Sequence, residues 1–269
     1  MTITEIAAKK SRGEKITMLT AYDYPTAVFM DQAGIDIILV GDSLANVVLG
    51  LESTKEVGMA EMLHHTQAVA RAVKNAVVVG DMPYCSYQPH PQAALDNARQ
   101  FIGAGCRAVK LEWFEGCDGL ARQIVEAGIP VMGHVGLTPQ TMPAMKVQGK
   151  DAASARIILA EAKKLEEVGC FSVVLECVPR QLAEVITRQM RIPTIGIGAG
   201  PHCDGQVLVS HDLLGLSPRY QPKFTKKYVD LGPLMVEAFK QYATDVRGGY
   251  FPDDAHSFHM PPDEVNKLQ

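Results

Sequence analysis

The chain has 269 residues, of which 47% are hydrophobic and 21% are charged, a balance typical of a globular protein with a large buried core. The formal net charge is −4 and the sequence contains no basic stripe, so we expect no nucleic-acid partner. No apolar stretch reaches the roughly 18 residues that a membrane-spanning helix needs, so we expect no membrane span.

Short apolar runs alternate with amphipathic stretches along the chain. Residues 1 to 14 are predicted to form a short helix outside the main fold. The apolar runs are too short for helices and too uniform for strands with one wet face, so they predict the strands of a buried parallel sheet. These strands are predicted at 16–20, 37–40, 76–79, 108–111, 130–132, 172–175, 194–197 and, more weakly, 207–209. Helices are predicted at 25–33, 59–73, 91–104, 119–127, 151–168, 180–189 and 231–246, with Asp151 as an N-cap.

One supersecondary unit recurs several times. Gly34 suits the left-handed residue that ends a helix, and the apolar run after it is followed by Asp42 and Ser43. Residues 105–112, 128–134 and 169–176 repeat this layout, each with a leading glycine and a closing ionisable residue. We count eight strand–helix units without a linker. The sequence therefore predicts a single domain over residues 1–269, a (β/α)8 TIM barrel with a short N-terminal helical extension.

Asp42 and Asp81 follow neighbouring predicted strands, at the strand ends where barrels bind their ligands. Two adjacent carboxylates repel each other unless a cation lies between them. Oxygen ligands from two residues, with room for water and substrate, suit Mg²⁺. Alternatively, each aspartate simply caps the loop that follows it. The spacing leaves both interpretations open.

Lys110 and Glu112 lie two positions apart in one predicted strand, so their side chains share a face. Barrel interiors are lined by such alternate residues. The opposite orientation would place the charged pair against apolar helices. Because burying a Lys–Glu pair is costly, we favour a functional role inside the barrel.

His134 and Glu176 close two further strands. A lone histidine is more often structural than catalytic. Glu176 follows an apolar run that raises the proton affinity of a carboxylate, which suits a general base near neutral pH. The alternative is a glutamate that caps a helix or pairs with a cation.

Two loops and the cysteines complete the pattern. Residues 134–150 are polar and proline-bearing, and they predict a lid or active-site loop. The glycines of IGIGAG (195–200) suit either phosphate binding or close packing, and they do not match a dinucleotide fingerprint.

The six cysteines form no CxxC pair. We expect reduced, structural thiols and, because no secretory signal is visible, a cytoplasmic protein.

Segments throughout the chain resemble one known family, the ketopantoate hydroxymethyltransferases. The matching segments are TAYDYPTA (20–27), LVGDSLANVVLG (39–50), GDMPY (80–84), VKLE (109–112), PVMGHVGLTPQ (130–140), KVQG (146–149), VVLECVP (173–179), IPTIGIGAGPHCDGQVLVSHDLLGL (192–216) and HSFH (256–259). The chain departs from the family at residues 141–145, where members often carry a glycine pair before KVQG.

The resemblance implies a Mg²⁺-dependent enzyme of pantothenate synthesis. It implies that Asp42 and Asp81 bind the metal, with Glu112 beside it, and that α-ketoisovalerate chelates the metal. Ser43, Lys110 and His134 would hold this substrate.

In such an enzyme Glu176 would remove the proton from C3 of the substrate. The resulting enolate would attack the one-carbon unit of 5,10-methylenetetrahydrofolate to give ketopantoate. The resemblance also implies a homodecamer of two pentamers.

Two other functions are consistent with such a barrel. One is a Mg²⁺-dependent carbon–carbon lyase of the phosphoenolpyruvate mutase and isocitrate lyase type. Those lyases carry a cysteine in a KKCGH-type loop, and no such segment occurs here. The other is a non-catalytic barrel, which would require a degraded rim, whereas every expected rim residue is present.

Overall fold

The structure, a computed structural model, describes residues 1–142, 146–217 and 222–268. Eight parallel strands lie in chain order around a closed barrel, with β8 hydrogen-bonded to β1. The strands are β1 (Ile16–Thr20), β2 (Ile37–Val40), β3 (Val77–Asp81), β4 (Ala108–Glu112), β5 (Val131–Gly136), β6 (Ser172–Glu176), β7 (Thr194–Ile197) and β8 (Gly205–Leu208). The prediction of a TIM barrel is confirmed.

The helices alternate with the strands over most of the chain. They are α1 (Ile3–Arg12), α2 (Tyr24–Gln32), α3 (Leu44–Val47), α4 (Met59–Ala72), α5 (Ala94–Gly103), α6 (Cys117–Glu126), α7 (Ala152–Glu167), α8 (Arg180–Gln189), α9 (Ser210–Leu213), α10 (Leu231–Gly248) and α11 (Pro262–Val265). Short 3₁₀ turns lie at Thr54–Glu56, Tyr84–Ser86, Pro91–Ala93 and Asp254–His256. Within the described ranges, no helix is long and apolar enough to cross a membrane.

Side-chain caps fix the starts of two of these helices. Asp23 accepts a hydrogen bond from the backbone N–H of Thr26 at 2.8 Å and so starts α2. Asp151 accepts from the N–H groups of Ala153 and Ser154, both at 3.0 Å, at the start of α7. Each bond satisfies a backbone donor that has no partner within its own helix. The predicted N-cap at Asp151 is confirmed.

The buried core has two layers. An inner cluster fills the barrel and takes residues from all eight strands, whereas an outer cluster lies between the barrel and the surrounding helices. The alternation of inward and outward side chains along each strand produces this division. All six cysteines are free thiols.

Helix α1 closes the N-terminal end of the barrel. Its Ile6 is fully buried and belongs to the inner cluster. Lys9 and Lys10 pair with Asp36 and Asp204 at 2.6 and 2.7 Å, and these aspartates lie just before β2 and β8. The prediction that residues 1 to 14 lie outside the main fold is therefore wrong. The residue pattern of a single helix does not show that the N-terminal end of the barrel interior needs an apolar side chain to cover it.

The prediction of eight strand–helix units is also wrong in one place. β7 and β8 are joined by a fully described loop, residues 198–204, that contains no helix. Thr17 on β1 and Gln206 on β8 are exposed on this flank of the barrel.

Helix α10, which comes after β8, has no buried residue. Its apolar residues instead form an exposed stripe at helical spacing: Met235, Phe239, Tyr242 and Val246, which are 44, 64, 61 and 45% exposed. The ring of Tyr242 contacts that of Phe251, with centroids 5.9 Å apart, but all four side chains remain largely exposed in the described chain.

Candidate active site

The C-terminal ends of five neighbouring strands bring the predicted ionisable residues together. Asp42 directly follows β2, Asp81 ends β3, Lys110 and Glu112 lie in β4, His134 lies in β5, and Glu176 ends β6. Five of these six residues are only 1–7% exposed, and the Glu176 side chain is 15% exposed. A dense set of ionisable groups is therefore buried at one end of the barrel.

An ion pair between β3 and β4 lies within this cluster. Lys110 Nζ donates to both carboxylate oxygens of Asp81, at 2.7 and 2.8 Å. Burial raises the pKa of Asp81 to about 7, although the Lys110 ammonium acts in the opposite direction. Burial alone would lower the pKa of Lys110, but the carboxylates of Asp81, Glu112 and Asp42 hold it above its usual value.

The cluster carries more negative groups than this lysine can neutralise. Burial raises the pKa of Glu112 well above its usual value, and Asp42 and Asp81 raise it further while Lys110 lowers it. Burial likewise raises the pKa of Glu176 to about 8. A divalent cation among these carboxylates would offset the mutual repulsion that, in addition to burial, raises these pKa values.

The chemistry of the carboxylates fits Mg²⁺ with few protein ligands. In the described ranges, no group of three or more His, Cys, Asp or Glu side chains is arranged to hold a metal ion. Mg²⁺ does not need such a cage, because it keeps several waters and binds through one or two carboxylates together with substrate. Asp42 and Asp81 are adjacent, since the Asp42 backbone N–H lies 3.4 Å from Asp81 Oδ2. The metal-binding roles of Asp42, Asp81 and Glu112 stay a prediction.

His134 lies between two carboxylates. Its Nδ1 is 3.6 Å from Glu112 Oε1, and its Nε2 is 3.4 Å from Glu176 Oε2. Burial, and then Lys110, lower the pKa of His134 well below its usual value, so the imidazole is neutral at physiological pH. Both ring nitrogens are buried and make no hydrogen bond of normal geometry within the described chain. They are therefore available to a ligand that enters the cluster.

Ser43 is held by a residue that we did not select from the sequence. The hydroxyls of Ser43 and Tyr22 are 2.8 Å apart, and Tyr22 is only 1% exposed. The Tyr22 ring also packs against His211, with ring centroids 5.4 Å apart. Tyr22 lies in the segment 20–27 of the family resemblance, which was the only sequence signal for it.

The segment 134–150 differs from the predicted lid in its first part. Leu137, Thr138 and Gln140 are 1, 3 and 0% exposed, so they pack into the rim of the barrel. Gln140 also bonds to Asp42, a contact that the sequence analysis missed. Residues 143–145 of the predicted lid lie outside the described residues.

Steric crowding explains why glycines occupy two positions in the loop after β7. A Cβ on Gly198 would lie 2.8 Å from the Phe224 ring, and one on Gly200 would lie 2.5 Å from Arg180 Cβ. Both glycines also have positive φ angles, 62° and 78°, which favour residues without a side chain. This geometry favours the close-packing interpretation of IGIGAG.

Comparison with known proteins identifies relatives over the full length of the chain. Residues 1–254 match the sequence model of a family described as ketopantoate hydroxymethyltransferase. The 3-methyl-2-oxobutanoate hydroxymethyltransferase of Carboxydothermus hydrogenoformans is 51% identical, over 100% of this chain and 99% of its own length. The enzyme of the same name from Syntrophobacter fumaroxidans is 53% identical, over 100% of this chain and 96% of its own length.

Solved structures of other enzymes share the fold. A phosphonopyruvate hydrolase in complex with oxalate and Mg²⁺ has a TM-score of 0.63 and 14% identity, over 100% of this chain and 95% of that chain. A 2,3-dimethylmalate lyase of the PEP mutase/isocitrate lyase superfamily has a TM-score of 0.60 and 14% identity, over 99% and 94%. At these identities the likeness concerns the fold alone.

Proposed function

This chain belongs to the ketopantoate hydroxymethyltransferase family and is a hydroxymethyl transferase of pantothenate biosynthesis, and we propose that its one-carbon donor is 5,10-methylenetetrahydrofolate and its acceptor α-ketoisovalerate. One observation carries the proposal. Glu176, a carboxylate with a raised pKa, lies across His134 from Glu112 and close enough to Lys110, Asp42 and Asp81 for their charges to affect its pKa. A general base therefore faces a site suited to a chelating 2-oxo acid.

The 2-oxo acid would be held by the charged cluster. Mg²⁺ bound by Asp42 and Asp81, with Glu112 beside it, would act as a Lewis acid that stabilises charge developing on the keto oxygen. Lys110 and Ser43 would bind oxygens of the same substrate, and the neutral His134 would donate one ring N–H to it. The similar fold of a phosphonopyruvate hydrolase that binds oxalate and Mg²⁺ supports this proposal.

Glu176 would remove the proton from C3 of α-ketoisovalerate. The electron pair of the broken C–H bond forms a bond to the methylene carbon of the donor as one of that carbon's two C–N bonds breaks. Water replaces the second nitrogen and supplies the hydroxyl group, and tetrahydrofolate leaves with one proton returned by Glu176 and one from the water on its two nitrogens. The raised pKa suits this cycle, because the ionised form of Glu176 is then a stronger base than an ordinary glutamate carboxylate.

Measurement of hydrogen exchange tests the proposal directly. The protein is incubated with α-ketoisovalerate in D₂O, with and without Mg²⁺ and without folate, and deuterium at C3 is followed by NMR. We expect exchange only when Mg²⁺ is present. Absence of exchange under both conditions, or equal exchange without metal after chelator treatment, would contradict the proposed mechanism.

A carbon–carbon lyase is the second candidate, favoured only by the shared fold. The lyase of known structure is 14% identical to this chain, whereas the transferases are 51–53% identical. A lyase would turn over a hydroxylated or carboxylated 2-oxo acid without folate. If ketopantoate forms only when methylenetetrahydrofolate is present, the chain is the transferase and not the lyase.

The exposed stripe on α10 supports a homo-oligomer. Its four apolar residues, Met235, Phe239, Tyr242 and Val246, are 44–64% exposed in one chain, and burial against a second copy would remove them from water. We propose the homodecamer of two pentamers that the family resemblance implies, in the cytoplasm. Light scattering of the purified protein measures the assembly size.

A further inference from the structure

The carboxamide of Gln140 is hydrogen-bonded on every side. Its Nε2 donates to Asp42 Oδ2 at 2.9 Å and to the Met82 carbonyl at 3.1 Å. Its Oε1 accepts from the Tyr87 hydroxyl at 2.5 Å and from Gln88 Nε2 at 3.2 Å. An amide has two N–H donors and two oxygen lone pairs, so this side chain has no hydrogen-bonding capacity left.

The partners of Gln140 fix the orientation of the amide. If the amide were flipped, its oxygen would face Asp42 Oδ2 and the Met82 carbonyl, which are both acceptors. Its NH₂ group would then face Tyr87 and lose two acceptors at the other end. Because the side chain is 0% exposed, no water can relieve that mismatch. The N–H groups of Gln140 must therefore point at Asp42.

The backbone of Gln140 reaches a second carboxylate of the site. Its N–H donates to Glu112 Oε2 at 2.9 Å. The Glu112 backbone N–H in turn donates to the Tyr87 hydroxyl at 3.1 Å, which closes a ring of hydrogen bonds through Gln140. One residue of the β5 connection thus binds one oxygen of Asp42 and one oxygen of Glu112, which come from two other strands.

We propose that Gln140 is a positioning residue for the cation site: it holds Asp42 and Glu112 in the orientation that Mg²⁺ requires. This inference rests on the proposed function insofar as that function requires Mg²⁺. Gln140 binds Asp42 through Oδ2 and leaves Oδ1, which makes no hydrogen bond in the described part of the chain, to face a cation. Without the amide, the Asp42 side chain is free to rotate. Metal binding must then pay the entropic cost of ordering it, which weakens the affinity for Mg²⁺.

The alternative is that Gln140 only stabilises the turn after β5. The same turn is closed by a hydrogen bond between the hydroxyls of Thr138 and Thr141, at 2.7 Å, which touches neither carboxylate. Thr138→Val therefore weakens the turn without reaching Asp42 or Glu112. It is the control that separates stabilisation of the turn from positioning of the metal ligands.

Calorimetric titration of the full-length chain with Mg²⁺ alone tests the proposal. Gln140→Met keeps the volume but removes every side-chain hydrogen bond, and we expect Mg²⁺ affinity to fall by about 10- to 100-fold, as is typical when a residue that orients a metal ligand is lost. Thr138→Val should keep wild-type affinity even if it lowers the unfolding temperature. Gln148→Met, the same substitution at a residue whose side chain bonds only to the Lys146 carbonyl among the described residues, should also keep it.

The outcomes separate this inference from the proposed function. A folded Gln140→Met variant with Mg²⁺ affinity within twofold of wild type would overturn the inference alone, as would equal losses in Thr138→Val. A wild-type chain that binds no Mg²⁺ would overturn the proposed function and this inference together. If Gln140→Met does not fold, Gln140→Asn decides: it keeps an amide but is one methylene shorter, so it cannot reach Asp42 Oδ2 from the same backbone position, and unchanged Mg²⁺ affinity in that variant would overturn the inference.

Discussion

Lys110 and Asp81 are paired in the register of β4 and β3, and the ammonium of the lysine bonds both oxygens of the aspartate within the barrel. Both side chains are at most 6% exposed. The pair is therefore shielded from solvent. Loss of one partner would leave the charge of the other buried without compensation.

Lys110→Met should destabilise the chain strongly near neutral pH. Breaking a buried ion pair typically costs about 3–5 kcal/mol. The loss should be smaller at pH 5, because Asp81, with a pKa of about 7, is then protonated and leaves no bare charge. Chemical denaturation at pH 5 and pH 8 measures both values. Lys9→Met, which breaks the less buried pair with Asp36, is the control and should show a smaller loss. Equal losses at the two pH values would contradict the argument.

Asp42→Asn and Asp81→Asn should each weaken the binding of both Mg²⁺ and α-ketoisovalerate. Losing a residue that only orients a metal ligand typically lowers metal affinity by at least about 10-fold, and losing a direct ligand should lower it further. Because the keto acid is proposed to bind through the metal, the two losses should be coupled. Calorimetry with metal alone, and with keto acid at saturating metal, measures them. Unchanged Mg²⁺ affinity in both variants would remove the basis of the metal assignment.

Glu176→Gln should lower the C3 exchange rate by about 10² to 10⁴-fold, the usual effect of losing a general base. Binding of Mg²⁺ and keto acid should change much less, because glutamine keeps the shape of the side chain. The rival role, in which Glu176 only positions the folate, predicts normal folate-free exchange together with lost transfer. Measuring exchange and transfer in the same preparation separates the two.

The raised pKa of Glu176 also predicts a pH dependence of stability. Because the folded-state pKa is about 8, above the 4.5 of an ordinary glutamate, the folded chain binds this proton more tightly than the unfolded chain. The stabilisation from the protonated group is complete below about pH 4.5 and is lost as the pH rises toward 8.

In metal-free protein, Glu176→Gln should therefore be more stable than wild type at pH 9 and equal to it at pH 4. The gain should appear as a rise in Tm of roughly 2–4 °C for each kcal/mol. Thermal unfolding with a chelator present measures it. A variant that gains no stability at pH 9 would show that the carboxylate is not desolvated in the folded chain.

Phe239→Glu should reduce the size of the assembly without unfolding the barrel. Phe239 is 64% exposed in the single chain, so a charge there costs little unless a second copy covers it. Light scattering should show smaller species, whereas circular dichroism should be unchanged. Lys240→Gln is the control on the same helix, since Lys240 contacts only Glu237, at 3.2 Å, through its side chain in the described chain. A variant with the wild-type mass would exclude this stripe from the interface.

Local sequence signals predicted most of the barrel. The apolar run Thr194–Ile197 and the helix Arg180–Gln189 have the predicted bounds, because alternation and helix periodicity are properties of neighbouring residues. The rim position of Asp42, Asp81 and Glu176 also followed from strand ends, since parallel strands in a barrel end on one side.

Features that depend on barrel closure were not predictable in this way. Gln140 lies in a polar loop of the sequence, and only the closed barrel brings it against Asp42. The polar, proline-bearing pattern of the loop favoured solvent exposure, whereas the buried carboxylates supplied a polar environment in which a glutamine is fully satisfied. The missing helix between β7 and β8, by contrast, agrees with the predicted elements, which include no helix between residues 197 and 207, so only the count of eight strand–helix units was wrong.

The position of Ile6 has a consequence for the order of folding. Its inner cluster contains residues from β1 through β8, so it cannot assemble until Gly205–Leu208 has left the ribosome. Lys10 likewise waits for Asp204, 194 positions along the chain. Contacts of such long sequence separation form slowly, because the connecting chain must first be closed into a loop. Helix α1, which is synthesised before all eight strands, is therefore among the last elements to reach its final position, and its apolar face must remain available until the barrel is complete.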